Sequence, residues 1–404
     1  MSRKQKVIYY LQQPHRIGQL VQEVWELRNM FADGDYEFVV ITPPVDGRVN
    51  KACYDFVMRG LTVVQKRPGE FQWSTNSGIQ IIDGDIYVLR GAFDFEFDFF
   101  TKFLRTKPPF YFSLTEQDIE RSNRLRSLFN IPLDAVIVTV HNREPGYLPD
   151  ADSIHYHAYR DTHIDNYIPA IEYLLGKGYY VIRLGDKTMK PLPPISDRLI
   201  DSPFHPMYSH FVELYFVSQS RFMLCAPSGP YSISWTFDVP TLLINRPMHT
   251  GCRPNDHDLM VPKKYYSHIV KRHLTYSEII TSPLPDFYQT KNFEEFGVEL
   301  HESTAEEILR AVQEMDARLD GQYHPNDEIH RRIKQVQFRG ECYRQHACPR
   351  FPHYSPYWSK AQLSHEFVKL NPYLLEDGLW LSEESPPQAD AAQPQDTCAS
   401  ASLT

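Results

Sequence analysis

Residues 222–245 read FMLCAPSGPYSISWTFDVPTLLIN. An apolar run from Phe222 to Ala226 breaks at Pro227-Ser228-Gly229-Pro230, a helix-like segment follows, and a second apolar run ends at Asn245. That order predicts strand, tight turn, helix, strand. A small hydroxyl residue and a glycine at such a turn leave backbone N–H groups bare at a helix N-terminus, where the helix dipole favours an anion. Ser228 and Gly229 are therefore expected to hold phosphate, with a nucleotide diphosphate as the cargo. The plainer reading of the turn is a strand–helix junction with Ser228 as an ordinary cap.

The pattern repeats along the chain. Ala135–His141, Tyr179–Leu184, Arg221–Ala226 and Val239–Asn245 are short apolar runs separated by helix-like segments. Between the first two, Ile164, Tyr167, Ile168, Ile171, Leu174 and Leu175 recur at helical spacing, and Gly176-Lys177-Gly178 ends the segment. Such alternation predicts a parallel sheet covered on both faces, with ligands bound beyond the carboxyl ends of its strands. His141-Asn142-Arg143, Arg183 with Gly185-Asp186, Ser228-Gly229 and Asn245-Arg246 all fall at those ends. A guanidinium fork can grip a diphosphate, which makes Arg143 and Arg183 the expected donor-binding pair. Asp186 and Asn245 are expected to touch the donor's ribose, base or sugar. Either arginine could instead pair with Glu144 or Asp186 to tie down a loop.

The first hundred residues predict a second α/β unit. Val7–Leu11, Phe38–Ile41 and Leu61–Val64 are apolar runs, and Leu20, Val24, Leu27 and Phe31 mark one face of a helix between the first two. Thr106-Lys107-Pro108-Pro109 interrupts any regular pattern, and Thr115-Glu116-Gln117-Asp118 resembles a helix start. The expected division is a first domain over 1–112, a second over 113–360, a terminal helix over 361–382 and a disordered tail over 383–404. Ser303-Thr304-Ala305-Glu306 is expected to cap a helix carrying Ile308, Val312, Met315 and Leu319. Beyond Glu383, proline, alanine, glutamine and serine offer little to bury.

A chain of 404 residues is long enough for two domains with ample core. A formal net charge of −9 argues against a nucleic-acid partner, because a polyanion needs a basic face. No stretch approaches the 18 or so apolar residues of a membrane span, and six cysteines in no framework fit a reducing compartment. The expected location is therefore cytoplasmic.

Several segments together resemble a family of bacterial glycosyltransferases associated with surface-polysaccharide biosynthesis, distantly similar to GT-B enzymes and to the fucosyltransferases. They are Tyr159-Arg160-Asp161, Asn166-Tyr167 with Ala170-Ile171, Gly178-Tyr179-Tyr180-Val181-Ile182-Arg183-Leu184-Gly185-Asp186, Ser228-Gly229, Pro240 with Asn245, Lys263-Lys264, Leu274 to Ile279 and Thr304 to Ile308. They run in the family's order from about Thr115 to about Leu375. His141-Asn142-Arg143 also resembles the fucosyltransferase His-x-Arg, whose arginine engages the donor diphosphate. Two departures stand out: Gly18-Gln19-Leu20 replaces a Gly-His-Leu step, and Arg143 is followed by Glu144 where the family has aspartate.

The resemblance implies two Rossmann-like domains of GT-B type facing a cleft. The Gln12–Gly18 loop would then face the acceptor, with Arg16, Gly18 and Arg160 on that side. His15, Asp161 and Glu144 are the candidate bases for the acceptor hydroxyl, and the sequence does not choose among them. The expected partners are a nucleotide-sugar donor and a glycan or lipid-linked acceptor, the latter drawing the enzyme to the inner face of the membrane. No cofactor beyond the donor and no metal is expected. Cys342, His346, Cys348 and His353 match no common zinc spacing, and Asp33-Gly34-Asp35 and Asp83-Gly84-Asp85 read as turns. Asp150-Ala151-Asp152 and Asp256-His257-Asp258 are expected by chance among 51 acidic residues. The expected reaction is metal-independent sugar transfer; a nucleotide-sugar epimerase and a non-catalytic nucleotide- or glycan-binding protein are the alternatives.

Overall fold

The computed structural model describes residues 3–67, 70, 78–89, 99, 103, 107–147, 155–247, 255–347 and 359–376, with the side chains of 344–347 excepted. The tail, Asp150-Ala151-Asp152, Cys348 and His353 lie outside the described residues. The architecture is α/β, built on two sheets with parallel cores.

In the first unit, β1 (Lys6–Tyr10), β2 (Glu37–Thr42), β3 (Thr62–Gln65), β4 (Gly78–Ile82) and β5 (Asp85–Leu89) stand in the order β3-β2-β1-β5-β4. All neighbours are parallel except β4 and β5, a hairpin closed at Asp83-Gly84 with both residues at positive φ, the geometry of a type I′ turn. The second unit carries β6 (Ile137–His141), β7 (Tyr180–Arg183), β8 (Leu199–Asp201), β9 (Phe222–Cys225), β10 (Thr241–Arg246) and β11 (Leu259–Pro262). After a small antiparallel sheet of β12 (Lys264–Ser267), β13 (Arg272–His273) and β14 (Val298–His301), the chain returns β15 (Gln362–Leu363) to the edge beside β11. The second sheet is parallel throughout, in the order β15-β11-β10-β9-β6-β7-β8.

The strands explain themselves chemically. β6 and β9 are buried at every position, as continuous apolar runs must be when helices cover both faces. Thr115 caps the Glu116–Leu128 helix reciprocally with Asp118. The cap expected at Ser303 with Glu306 falls one residue later, at Thr304 with Glu307. Ser303 is diverted because its N–H donates to Asn245 Oδ1 at 2.6 Å. The last described segment is a His365–Leu370 helix followed by a Pro372–Leu375 turn; Phe367, Leu374 and Leu375 are buried, whereas Leu370 is exposed.

The two units share one apolar core. The Ile17–Met30 helix of the first packs along the Tyr231–Thr236 helix of the second, placing Trp25 5.8 Å from Trp235 between ring centroids. Trp25 Nε1 donates to the Phe110 carbonyl and Phe112 N–H to that of Thr236, so both units clasp the segment joining them. At the tightest point Gly18 meets Gly229. A β-carbon on Gly18 would lie 3.0 Å from Gly229 Cα and 3.3 Å from its carbonyl oxygen. Those are backbone atoms with no rotamer to give way, so Gly18→Ala is expected to cost about 1–3 kcal/mol. A thermal melt reads this directly, and an unchanged midpoint would show that the contact is slack.

Candidate functional site

Strand order reverses at β6. The chain leaves it toward β7 and β8, then crosses over to β9, β10 and β11, so the carboxyl ends of β6 and β9 flank a switch point. His141, Asn142, Arg143 and Glu144 follow β6, and Ser228 and Gly229 follow β9. The sequence-predicted residues do gather there, but they do different things.

Arg183 faces inward with no exposed surface, and both terminal nitrogens are taken, while Nε is buried without a partner. Nη1 donates to the Lys190 carbonyl at 2.8 Å and to Asp201 at 3.2 Å, while Nη2 donates to Glu144 at 3.0 Å and Asn142 at 3.3 Å. The expected diphosphate contact from Arg183 is thus replaced by a buried structural pair. Glu144 is fixed by the same network, accepting also from Asn142 Nδ2 and the Lys190 N–H. Glu144 is thereby held among three donors and turned toward Arg183.

The Ser228–Gly229 turn also departs from expectation. The N–H groups of Tyr231, Ser232 and Ile233 donate to the carbonyls of Ser228, Gly229 and Pro230, and the helix start has no side-chain cap. The first turn therefore satisfies its own donors. The helix spans six residues, and the open side of Gly229 is filled by Ile17 and Gly18. Glycine is needed there because two helices meet; Gly18 likewise serves that contact rather than an acceptor. Asp186 accepts from the Thr188 N–H and hydroxyl, closing its own turn. Asn245 is fully buried at φ 57° and spends its side-chain oxygen on Ser303, so it shapes the end of β10.

Arg143 is different. Its Nη1 pairs with Asp161 and reaches the His157 carbonyl at 3.5 Å, while Nη2 and Nε make no hydrogen bond. Burial, then neighbouring Arg160, pulls this arginine down to about 10. Asp161 is engaged by Arg143. Arg160 lies 5.6 Å over the Tyr159 ring with its Nε buried and unpartnered. From the first unit, exposed Arg16 immediately precedes the Ile17–Met30 helix and makes no side-chain cap. The fields of Arg160, Arg143 and Arg16 all reach His157. Burial and those charges hold its imidazole at about 4. Of the proposed bases, His15 keeps a free side chain; burial, Arg48 and Arg16 lower it against Asp46.

Two residues outside the predicted set belong to this cluster. Lys263, 3% exposed, donates its Nζ to the Asp161 carbonyl at 2.8 Å and is pushed down to about 8, chiefly by burial. His157 lies in the histidine-rich stretch 155–163, whose density was the available signal. His141 sits deeper. Its Nδ1 lies 3.1 Å from the Leu184 carbonyl, which can only accept, so Nδ1 carries the proton; burial keeps the ring neutral, near 4. Among the described residues no three His, Cys, Asp or Glu side chains are grouped as metal ligands, and no helix is long and apolar enough to cross a membrane.

No protein-family model matches the chain, and no curated protein sequence is significantly similar to it. Solved structures overlap it distantly. A family 9 glycosyl transferase from Veillonella parvula aligns at 9% identity over 61% of this chain and 82% of its own, with a TM-score of 0.35. The ADP-heptose lipopolysaccharide heptosyltransferase II of E. coli aligns at 11% identity over 60% and 85%, TM-score 0.31. The E. coli heptosyltransferase WaaC, solved with ADP-2-deoxy-2-fluoro heptose, aligns at 12% identity over 60% and 89%, TM-score 0.30. Likeness this distant says nothing about substrate or chemistry.

Proposed function

We propose that this chain is a glycosyltransferase that moves a sugar from a nucleotide-diphosphate donor to a glycan or lipid-linked acceptor without a metal ion. One observation carries the reading: Arg16 of the first unit and Arg143 and Arg160 of the second converge on His157 beside the β6 switch point. Three cations facing one spot from two units, with Asp161 as the near counter-charge, suit a ligand that brings several negative charges of its own. A diphosphate is such a ligand. Breaking its bond to a sugar builds charge on the departing oxygens, and fixed guanidinium groups already in place stabilise that charge as it forms. Lys263 would act from behind by holding the Asp161 backbone, and Arg183 by fixing Glu144 and the loop after β6. A lipid-linked acceptor would bring the enzyme to the inner face of the membrane.

The test is direct. Calorimetry with a panel of nucleoside diphosphates should find one that binds, and Arg143→Ala should weaken it by about 1.5–3 kcal/mol, roughly ten- to 150-fold. Arg143→Lys should recover only part of this, because a lysine presents no fork. An unchanged affinity in Arg143→Ala would overturn the assignment.

A further inference from the structure

We propose that the imidazole of His157 is the proton acceptor of the transfer step, and that it becomes an effective base only while a diphosphate fills the arginine cluster around it. The inference rests on the glycosyltransferase reading above.

His157 sits just ahead of the Ala158–Arg160 turn, where the loop that follows β1 in the first unit comes up to the strand ends of the second. Its ring stands edge-to-face on Tyr156, centroids 4.5 Å apart, and its Nδ1 is buried without a partner. The charged and titratable groups around it come from several elements, including the Thr290–Glu295 helix, which packs on the same turn and whose Glu294 pairs with His155 at 3.7 Å. Arg16 faces it from the first unit, Arg143 from the end of β6, and Tyr156, Tyr159 and Arg160 from its own turn; Asp161 stands across Arg143, backed by Lys263. Among the described residues no carboxylate is bonded to the ring. Burial is the first cause that holds the group near 4, and the charges of Arg160, Arg143 and Arg16 add to it, so with no anion beside it the ring is a weak base.

A bound diphosphate changes the sign of that field. Its negative charges offset the arginines, and the imidazole regains basicity at the moment the donor is ready to react. The acceptor hydroxyl then gives its proton to His157 as its oxygen bonds to the anomeric carbon. The bond from that carbon to the diphosphate oxygen breaks, and its electron pair leaves with the diphosphate, inverting the configuration. Departure of the diphosphate restores the repulsion, so the imidazolium sheds its proton to water. His15 is coupled to the cluster through Arg16 alone, and its first charged neighbour is Arg48, which Asp46 already pairs.

Linkage makes the device measurable, because a ligand that raises a group's proton affinity must itself take up protons on binding. Inorganic pyrophosphate should be titrated calorimetrically at pH 5 in buffers of different ionisation heat, against wild type, His157→Gln and His15→Gln. Protons bound by pyrophosphate itself cancel in the comparison. Wild type and His15→Gln should each take up about half a proton more than His157→Gln. In the unmodified protein, the ring resonance of His157 should titrate about one pH unit or more higher with pyrophosphate present. Intact binding with equal uptake in wild type and His157→Gln, or an unmoved titration, overturns the role of His157 and leaves the anion site standing. Failure of pyrophosphate and every nucleoside diphosphate to bind overturns the glycosyltransferase reading itself, and this inference with it.

Discussion

Arg183→Ala is expected to lower stability by about 3–5 kcal/mol, the loss that follows when one partner of a buried ion pair is removed. Four acceptors share this guanidinium: the Glu144 and Asp201 carboxylates, the Asn142 side chain and the Lys190 carbonyl. The carboxylates are only 15% and 17% exposed, so water would recover part of the deficit but not most of it. The melting temperature should fall by several degrees, on the order of 5–10 °C. Arg143→Ala should be milder, because Arg143 gives up one carboxylate pair and a long 3.5 Å contact to the His157 carbonyl, against four bonds at Arg183. The two arginines therefore separate in one pair of assays: Arg183→Ala melts early, and Arg143→Ala loses ligand. An Arg183→Ala protein that melts like wild type yet no longer binds a diphosphate would return Arg183 to the binding surface.

That contrast shows what the sequence could carry. Both arginines stood out as basic residues at adjacent strand ends, and both were read as ligand contacts with a loop-tying pair as the alternative. Side-chain direction decided between them. Arg183 is the last residue of β7, in register with Asp201 of β8, a strand of three residues too short to leave a periodic trace. Glu144, one of the two acids read as alternative partners, does pair with Arg183; without β8 in the reading its second carboxylate, Asp201, was invisible, and the other acid named, Asp186, closes its own turn. The buried central strands posed no such difficulty, because burial on both faces writes them as mostly apolar runs, IVTVH and FMLC. The β12–β14 sheet, with sequences such as KYYS and VELH, carries little apolar signal and forms by pairing.

Gly229 is the sharper case. Its sequence context, PSGP, reads as a phosphate turn on local grounds, yet the space beside it is occupied by Ile17 and Gly18, more than two hundred residues earlier. A local pattern reports that a backbone needs room; it does not report for whom. Lys263 and His157 follow the same logic in reverse. The histidine density around 157 and the Lys263-Lys264 pair mark the places but not the roles, and the character of both residues comes from burial and from charges delivered by other elements.

The contact between units also predicts an unusual dependence of stability on pH. Glu213, on the Phe211–Ser218 helix, is buried; its carboxyl accepts from the Tyr208 hydroxyl at 2.8 Å and from Asn50 Nδ2 at 3.2 Å. Asn50 also caps the Lys51–Val57 helix of the first unit, and the Lys51 N–H donates to His210, so these bonds join the two units. Burial raises the Glu213 carboxyl to about 7, and the Tyr208 and Asn50 bonds only partly offset it. An acid whose folded value lies above its unfolded one binds more protons in the fold. Its contribution is fully present below about pH 4.5 and is lost as pH climbs through 7, a difference of about 3 kcal/mol. His141 and His157 work the other way. Both are held neutral near 4, so they destabilise the fold as pH falls below the ordinary histidine value. The raw curve sums these opposing slopes, and only a difference isolates Glu213. Glu213→Gln keeps the size of the side chain, and its amide can donate to the Tyr208 oxygen while removing the charge. Melting temperatures of wild type and Glu213→Gln should converge near pH 5 and separate above pH 7, the glutamine protein being the more stable. Parallel curves from pH 5 to 8 would mean that Glu213 ionises at its ordinary value and that the contact between the units carries no buried charge.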